Sequence, residues 1–228
     1  NYYKCKVSGN CEPSVFSDSA SLMVSPEPQE IQVSVESVDV CAGEFLVDVN
    51  VNEFLGVGAF SLALDYNSEN LIFLSCQNLH PNLSNSNFMF NAYNGIVWMS
   101  WTNTEPADIG DGTLLKVKFT SSGGSSSLNW DVLSQGACHF SDSVGNEINA
   151  TYFNANATVR ELPLITLQPN DITVEEGQNA IFSTDAAGYN LSYRWQQSVD
   201  SGIIWNDLSN NANYSGTTSK NLTVKSVV

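Results

Sequence analysis

The chain has 228 residues, of which 8 are Lys or Arg and 24 are Asp or Glu, so its formal net charge is −16. This charge argues against binding to nucleic acid or to an anionic membrane through a basic patch. Only 14% of the residues are charged, and Ser, Asn, Thr and Gly are abundant. That composition is typical of secreted β-proteins with polar outer faces rather than of cytosolic enzymes.

No stretch of the sequence has the length and continuity of a transmembrane helix, and the first residues do not resemble a signal peptide. We therefore expect Asn1 to be the start of a processed or excerpted fragment of a protein that is secreted, extracellular or on the cell surface. The five cysteines are an odd number, so at least one is free or pairs elsewhere. Cys41, Cys76 and Cys138 have no assigned partner and are expected to be small buried side chains.

Residues 1–26 contain two short predicted strands with a turn between them. Tyr3-Lys4-Cys5 resembles the Tyr-x-Cys of the penultimate strand of an immunoglobulin-like domain, which implies that 1–26 are the C-terminal strands of such a domain. We predict a disulfide between Cys5 and Cys11, because the residues between them can bring the two arms of a hairpin within disulfide reach. The Pro-containing, acidic residues 25–30 are expected to be a semi-rigid linker.

Alternating hydrophobicity over residues 43–66 predicts two strands of a half-buried sheet. The inward side chains are Phe45, Val47, Val49 and Val51 in the first strand and Phe60, Leu62, Leu64 and Tyr66 in the second. A glycine-marked turn at 55–58 joins the two strands, and we expect a hairpin there.

Three short motifs in this region and after it resemble those of cohesins, the dockerin-binding modules of cellulosome scaffolds. They are Val57-Gly58-Ala59-Phe60, then Leu64-Asp65-Tyr66-Asn67 leading to Leu71-Ile72-Phe73, and Asp111-Gly112-Thr113-Leu114 ahead of Phe119. Residues 151–159 are similar to the last cohesin strand. The resemblance implies an all-β fold in which residues 31–161 form a central jelly-roll β-sandwich of nine strands.

The rest of this central unit follows from local signals. Residues 31–35 alternate like a strand, and residues 71–76 are expected to form the fourth strand. Asn94-Gly95 predicts a tight hairpin turn between strands at 88–90 and 96–101. The polar residues 77–87 are expected to be a long loop. Serine and glycine at 121–127 predict a flexible loop.

Residues 162–228 have a third composition, with short predicted strands at 165–168, 172–174, 180–182 and 191–197. The run Tyr193-Arg194-Trp195-Gln196 resembles the core-tryptophan strand of bacterial immunoglobulin-like repeats. We therefore expect an incomplete immunoglobulin-like domain that contains the first strands of that fold.

The candidate binding surface follows from the alternation. If Phe60, Leu62 and Leu64 point inward, the outer sheet face carries Ser61, Ala63 and Asp65, and in cohesins this face receives the dockerin. Trp98 and Trp101 are three residues apart and so lie on opposite faces of a strand, which leaves at least one of them exposed unless loops cover both. An exposed aromatic ring on a flat sheet suits a protein partner or a sugar.

Calcium is the one cofactor with a candidate site. Glu105, Asp108 and Asp111 bring three carboxylates within seven residues, and oxygen ligands suit Ca²⁺, although a polar turn alone explains them. The sequence has no catalytic motif of a hydrolase or a zinc enzyme, and it has no phosphate-binding loop motif. His80 and His139 are expected to be ordinary surface or turn residues.

Two serines are candidate modification sites. Asp18-Ser19-Ala20 and Asp142-Ser143-Val144 resemble the Asp-(Ser/Thr)-aliphatic sites that some secreted bacterial proteins O-glycosylate, which implies glycans on Ser19 and Ser143. Such triplets also occur by chance.

The leading hypothesis is a non-catalytic bacterial surface, adhesion or scaffold module that presents a cohesin-like face to a dockerin-like protein partner. A second hypothesis is a subunit of an extracellular fibre, in which incomplete immunoglobulin-like domains of neighbouring copies complete each other. A third is carbohydrate binding by an exposed tryptophan. Enzyme activity, nucleic-acid binding and membrane insertion are not expected.

Overall fold

The computed structural model describes residues 1–10, 13–23, 30–83 and 87–227. The chain divides into two compact units, Asn1–Glu30 and Ile31–Val228. Within the described ranges the fold is all-β. None of their segments forms an apolar helix of the length needed to span a bilayer.

The first unit contains four two-residue strands. They are β1 (Tyr2–Tyr3), β2 (Lys6–Val7), β3 (Val15–Phe16) and β4 (Ala20–Ser21). β1 pairs with β4 and β2 pairs with β3, both antiparallel. The pairing of β1 with β4 joins the two predicted strands, whereas β3 lies in the segment predicted to be a turn. Cys11 lies outside the described residues, so the Cys5–Cys11 disulfide stays a prediction. The four cysteines of the described ranges form no disulfide with one another.

The second unit begins with the strands of a large sandwich. They are β5 (Glu30–Val35), β6 (Val38–Cys41), β7 (Gly43–Phe54), β8 (Val57–Tyr66), β9 (Ile72–Gln77), β10 (Phe88–Tyr93), β11 (Ile96–Ala107), β12 (Gly110–Ser121), β13 (Gly124–Trp130), β14 (His139–Asp142), β15 (Glu147–Phe153) and β16 (Ala155–Arg160). Seven shorter strands follow: β17 (Leu164–Leu167), β18 (Ala180–Ser183), β19 (Asp185–Ala187), β20 (Gln196–Gln197), β21 (Asn206–Asp207), β22 (Tyr214–Ser215) and β23 (Asn221–Val224).

Strands β5 to β16 form the two layers of a jelly-roll β-sandwich. One layer runs β5-β7-β12-β9, and the other contains β6-β16-β13-β8-β11-β10, with β14 beside β8. The layers are joined on one side, where β15 bonds to both β14 and β5. The predicted all-β fold of the central unit is therefore confirmed.

The core lies between the layers and contains the side chains that alternate inward. Val47, Val49 and Val51 of β7 and Leu62 and Leu64 of β8 are all fully buried. The aromatic rings of Phe54, Phe60, Phe140 and Trp101 pack together with centroids about 6 Å apart. Burial of these alternating side chains is the main stabilising contribution to the sandwich.

The prediction that β7 and β8 form a hairpin is wrong. β7 pairs with β5 and β12, whereas β8 pairs with β11, β13 and β14. The turn between them carries the chain from one layer to the other, with positive φ at Glu53 (55°) and Gly56 (65°). Alternation shows that one side of a strand is buried, but it does not show which strand is the neighbour.

The hairpin between β10 and β11 is confirmed. Tyr93 pairs with Ile96, and the two turn residues Asn94 and Gly95 both have positive φ, 50° and 77°. These angles match the tight turn that Asn-Gly favours. A Cβ atom on Gly95 would lie 2.7 Å from the carbonyl oxygen of Tyr66, so the turn also packs closely on the end of β8.

The flexible loop expected at 121–127 is much shorter than predicted. β13 begins at Gly124, and Ser125, Ser126 and Ser127 lie in a ladder with β16. The Ser126 side chain is buried, and its hydroxyl accepts a hydrogen bond from the Asn67 amide at 2.9 Å. A serine whose hydroxyl is satisfied in this way fits a strand, although its composition suggests a loop.

Residues 162–227 form small separate ladders: β17 pairs with β19, β23 pairs with β18 and with β22, and β20 pairs with β21. Trp195 packs against Phe182 with ring centroids 6.4 Å apart, and its Nε1 donates to the Ser219 carbonyl at 2.8 Å. The predicted strand at 172–174 does not form, and only Gln196–Gln197 of the predicted strand 191–197 is regular. The assignment of this segment to an immunoglobulin-like domain stays a prediction.

Candidate functional site

The two outer faces of the sandwich differ in whether their charged and polar side chains bond to one another. On the β5-β7-β12-β9 layer, Lys116 and Lys118 of β12 form ion pairs with Asp48 and Glu44 of β7, both at 2.6 Å. Thr113 Oγ1 also donates to Asn50 Oδ1 at 2.8 Å. Charged groups on this face are thus paired across strands, which leaves them less available to a partner.

The opposite outer face is the candidate site, and we call it the Trp98 face. Because residues paired in an antiparallel ladder point to the same side of a sheet, the ladders define its members. They are Ser61, Ala63 and Asp65 of β8, Met89, Asn91 and Tyr93 of β10, Ile96, Trp98 and Ser100 of β11, Asn129 of β13 and His139 of β14.

Trp98 lies at the middle of this face, with Ala63 opposite it on β8 and Asn91 opposite it on β10. Its side chain is 37% exposed. Ala63 is predicted to belong to this face and does point outward, but it has no solvent exposure. The Cys138 sulfur covers its backbone, 3.5 Å from the Ala63 nitrogen. Ala63 therefore supports the surface rather than forming part of its accessible area.

Trp101 does not belong to the candidate surface. It is 1% exposed and stacks on Phe60 in the core, with ring centroids 6.1 Å apart and planes at 22°. An offset of three residues places it on the opposite side of β11 from Trp98, as the alternation requires. Trp98 therefore belongs to the candidate surface, and Trp101 does not.

Two carboxylates give one end of the Trp98 face a negative character. Partial burial raises the pKa of Asp65, and the negative charge of Asp131 raises it further. The pKa of Asp131 is lowered by hydrogen bonds from the side chain and backbone of Ser134, so Asp131 stays ionised. A cationic group on a partner would relieve the repulsion between the two acids.

A compact loop at 131–138 separates β13 from β14 beside this face. Asp131 Oδ1 accepts hydrogen bonds from the backbone amides of Leu133 (3.2 Å) and Ser134 (3.0 Å), and the Ala137 carbonyl accepts one from Ser61 Oγ. Leu133 is almost fully exposed at the tip. The sequence analysis missed this loop, although the Asp131-x-x-Ser134 spacing is a signal for such a turn.

The three carboxylates proposed for calcium lie where β11 leads into β12. Asp108 Oδ1 accepts the Gly56 amide at 2.6 Å, and Asp111 Oδ1 accepts the Glu53 amide at 3.0 Å. Asp108 and Asp111 therefore stabilise the corner between β7 and β8. Glu105 is an exposed residue of β11. Across the described ranges, no three His, Cys, Asp or Glu side chains form a group that could hold a metal ion. Calcium binding stays a prediction.

The described cysteines differ in burial. Burial raises the pKa of Cys76 to about 12 and that of Cys138 to about 11, so neither is a reactive thiolate at neutral pH. Cys41 is exposed, in contrast to the expected burial.

Ser19 and Ser143 are exposed near the ends of short strands, and their glycosylation stays a prediction.

No protein-family sequence profile matches the chain. No curated protein sequence matches it either.

Solved structures do match. A cohesin–dockerin complex from Clostridium thermocellum is 17% identical with a TM-score of 0.52, over 62% of this chain and 100% of that chain. A cohesin from Clostridium acetobutylicum is 19% identical with a TM-score of 0.50, over 58% and 92%. The third cohesin of a scaffold protein from Acetivibrio cellulolyticus, solved with a dockerin, is 19% identical with a TM-score of 0.50, over 57% and 98%. Similarity at this level of identity shows the fold, and the central sandwich of this chain has the fold of the cohesins.

Proposed function

We propose that the chain is a non-catalytic, extracellular protein-binding module whose Trp98 face receives a dockerin-like partner. The observation that carries this proposal is the contrast between the two outer faces. Lysines and acids pair with one another on the β7-β12 face, whereas the opposite face presents an exposed tryptophan beside two carboxylates that repel each other. Cohesins of similar fold have been solved with dockerins, which supports the choice of partner class.

The chemistry of the face describes the partner. Trp98 and Tyr93 offer aromatic area for an apolar patch, which is the kind of anchor that dominates protein interfaces. Asp65 and Asp131 favour a lysine or arginine on the facing surface. Secretion, and a division of the chain into segments 1–26, 31–161 and 162–228, belong to the same proposal.

The test is binding of the full chain to a panel of immobilised dockerin modules, which includes those solved with the cohesins above. We expect at least one dockerin to bind, and Trp98→Ala to weaken that binding at least about tenfold, as for an interface anchor. Leu46→Ala is the matched control, because Leu46 is partly exposed on the opposite outer face. Binding to none of the panel, or equal loss in both variants, would contradict the proposal.

Carbohydrate binding is a second candidate function. Trp98 has Asn91 opposite it in the ladder and Tyr93 two residues further along β10, so an aromatic ring and an amide lie on one flat surface. A sugar ring stacks on an aromatic side chain, and amides bond its hydroxyls. Retardation on polysaccharide gels that is lost in Trp98→Ala and kept in Leu46→Ala would favour this function over the first.

A further inference from the structure

A three-residue connection joins the sandwich to residues 164–227, which we call the C-terminal segment. β16 ends at Arg160 and β17 begins at Leu164, so only residues 161–163 lie between the two strands. The last of these is Pro163, whose ring fixes its own φ, and a proline also restricts the backbone of the residue before it. The chain therefore has few free rotations at the point where the two parts meet.

The Arg160 side chain contacts both sides of this connection. Its Nε and Nη2 donate to the two carboxylate oxygens of Asp39, at 2.9 and 2.8 Å. The guanidinium also lies over the ring of Tyr189, with Cζ 4.2 Å from the ring centroid. Asp39 belongs to β6 of the sandwich, whereas Tyr189 follows β19 of the C-terminal segment. A planar guanidinium can make both contacts at once, because it binds a carboxylate with its edge and an aromatic ring with its face.

The connection itself is closely packed on both sides. Gly188, beside Tyr189, has φ of +138°, and a Cβ atom on it would lie 3.1 Å from the Pro163 Cα and 3.2 Å from the Leu162 carbonyl oxygen. On the side of the sandwich, a Cβ atom on Gly123 would lie 2.6 Å from the Cγ of Glu161. The backbone of the C-terminal segment thus approaches the connection as closely as a residue without a side chain allows.

We propose that the contacts of Arg160 with Asp39 and Tyr189 form a rigid joint, which holds the C-terminal segment in one direction relative to the sandwich. Neighbouring parts of a chain that share a small contact ordinarily move relative to one another. Here a short connection that contains a proline leaves few rotations, and Arg160 restrains those that remain. Residues 31–227 then behave as one rigid body, in keeping with the single compact unit that they form.

The joint lies on the same outer side of the sheet as the Trp98 face. Val159 of β16 is buried, so its neighbours Thr158 and Arg160 point outward. In the order β16-β13-β8-β11, the strand of Arg160 is three positions from that of Trp98. Because neighbouring strands are about 4.8 Å apart, the two residues are separated by about 14 Å across the sheet. The C-terminal segment is therefore attached beside the Trp98 face.

This position has a consequence for binding, and only this consequence rests on the proposed function. A partner on the Trp98 face would have the C-terminal segment beside it in a fixed position, so the segment would not swing across the face and compete for it. Pre-organisation of this kind lowers the entropy that binding costs. The joint itself does not depend on any partner, and its test needs none.

The test is NMR spectroscopy of the full chain, with residual dipolar couplings and ¹⁵N relaxation of the backbone amides. We expect residues 31–160 and 164–227 to share one alignment tensor and one rotational correlation time. Tyr189→Ala removes the ring under Arg160, and we expect it to give two tensors and a shorter correlation time for the C-terminal segment. Tyr93→Ala is the matched control, because Tyr93 is another exposed tyrosine that lies on β10, and this variant should behave like the unaltered chain.

Arg160→Lys is a second variant. It keeps the positive charge but loses the two-point pair with Asp39 and the flat group that stacks on Tyr189, so it should loosen the joint as Tyr189→Ala does. Amide chemical shifts within each part report whether a variant remains folded, and if Tyr189→Ala disturbs the C-terminal segment, Arg160→Lys replaces it. Two alignment tensors in the unaltered chain, or a single shared tensor in a folded Arg160→Lys variant, would overturn the proposal.

Discussion

Trp98 of β11 lies directly opposite Ala63 of β8, and both side chains are on the outer side of the sheet. Directly opposed residues in an antiparallel pair have Cβ atoms only about 5 Å apart. A methyl group at position 63 leaves room for the indole beside it, and a larger side chain would compete for that space. The position of Trp98 is therefore set by its neighbour as well as by its own strand.

The first prediction separates the two tryptophans by their contribution to stability. Trp101 is buried against Phe60, so Trp101→Ala should lower the free energy of unfolding by about 3–5 kcal/mol. Trp98 is partly exposed, and Trp98→Ala should cost only about 1 kcal/mol, like most substitutions outside the core. Urea denaturation at neutral pH followed by circular dichroism measures both. Equal losses would show that Trp98 is a core residue and not part of a surface.

The second prediction concerns the turn between β10 and β11. Gly95→Ala should destabilise the fold by about 2–3 kcal/mol, because the new methyl group would lie 2.7 Å from the Tyr66 carbonyl oxygen and φ is +77°. Gly110→Ala is the matched control. Its φ is +70°, but no atom lies within 4 Å of the added Cβ, so only the backbone cost of about 1 kcal/mol applies. Similar losses in the two variants would contradict the role of the contact with Tyr66.

The third prediction tests whether Asp108 and Asp111 act on the fold without a metal. Each accepts a hydrogen bond from a backbone amide at the corner between β7 and β8, so Asp108→Ala and Asp111→Ala, which remove the acceptor, should each lower stability by about 1 kcal/mol. We expect the same loss in EDTA and in excess calcium, measured by thermal unfolding. Calcium binding instead predicts that added calcium raises the unfolding temperature of the unaltered chain and not of the variants. That result would restore the calcium site.

Local patterns in the sequence predicted the strands but not their partners. Alternation located β7 and β8, and Asn94-Gly95 located the tight turn, because these features depend on neighbouring residues alone. The pairing of β8 with β11 and β14 joins residues far apart in the chain. It could not be deduced from a period of two, which is the same in a hairpin and in a corner between layers.

The candidate surface could likewise be predicted only in part from the sequence. Alternation placed Ser61 and Asp65 outward correctly, but it could not decide between Trp98 and Trp101, because the direction of β11 is fixed only by its pairing with β8. Asp131 reaches the site through a loop that follows β13. Its proximity to Asp65 therefore depends on the whole topology of the second layer.

The last prediction is the pH dependence of stability at Asp65. Partial burial, and then the charge of Asp131, raise the pKa of Asp65, so the folded protein holds a proton there more firmly than the unfolded chain does. Ionised Asp65 therefore destabilises the fold at neutral pH. Asp65→Asn should raise the free energy of unfolding at neutral pH, and this gain should shrink to nothing as the pH falls through the raised pKa and below the ordinary range of a carboxyl.

Asp39→Asn provides a control of opposite sign. Hydrogen bonding to Arg160 lowers the pKa of Asp39, so its carboxylate adds stability above its ordinary pKa, and this contribution is lost as the pH falls through the lowered value. Asp39→Asn should lower stability at neutral pH, and the difference should vanish in acid. Urea denaturation across the acidic and neutral range resolves both curves. A loss of stability at neutral pH in Asp65→Asn would mean that another group compensates the charge of Asp65, and that the Trp98 face has no need of a cationic partner.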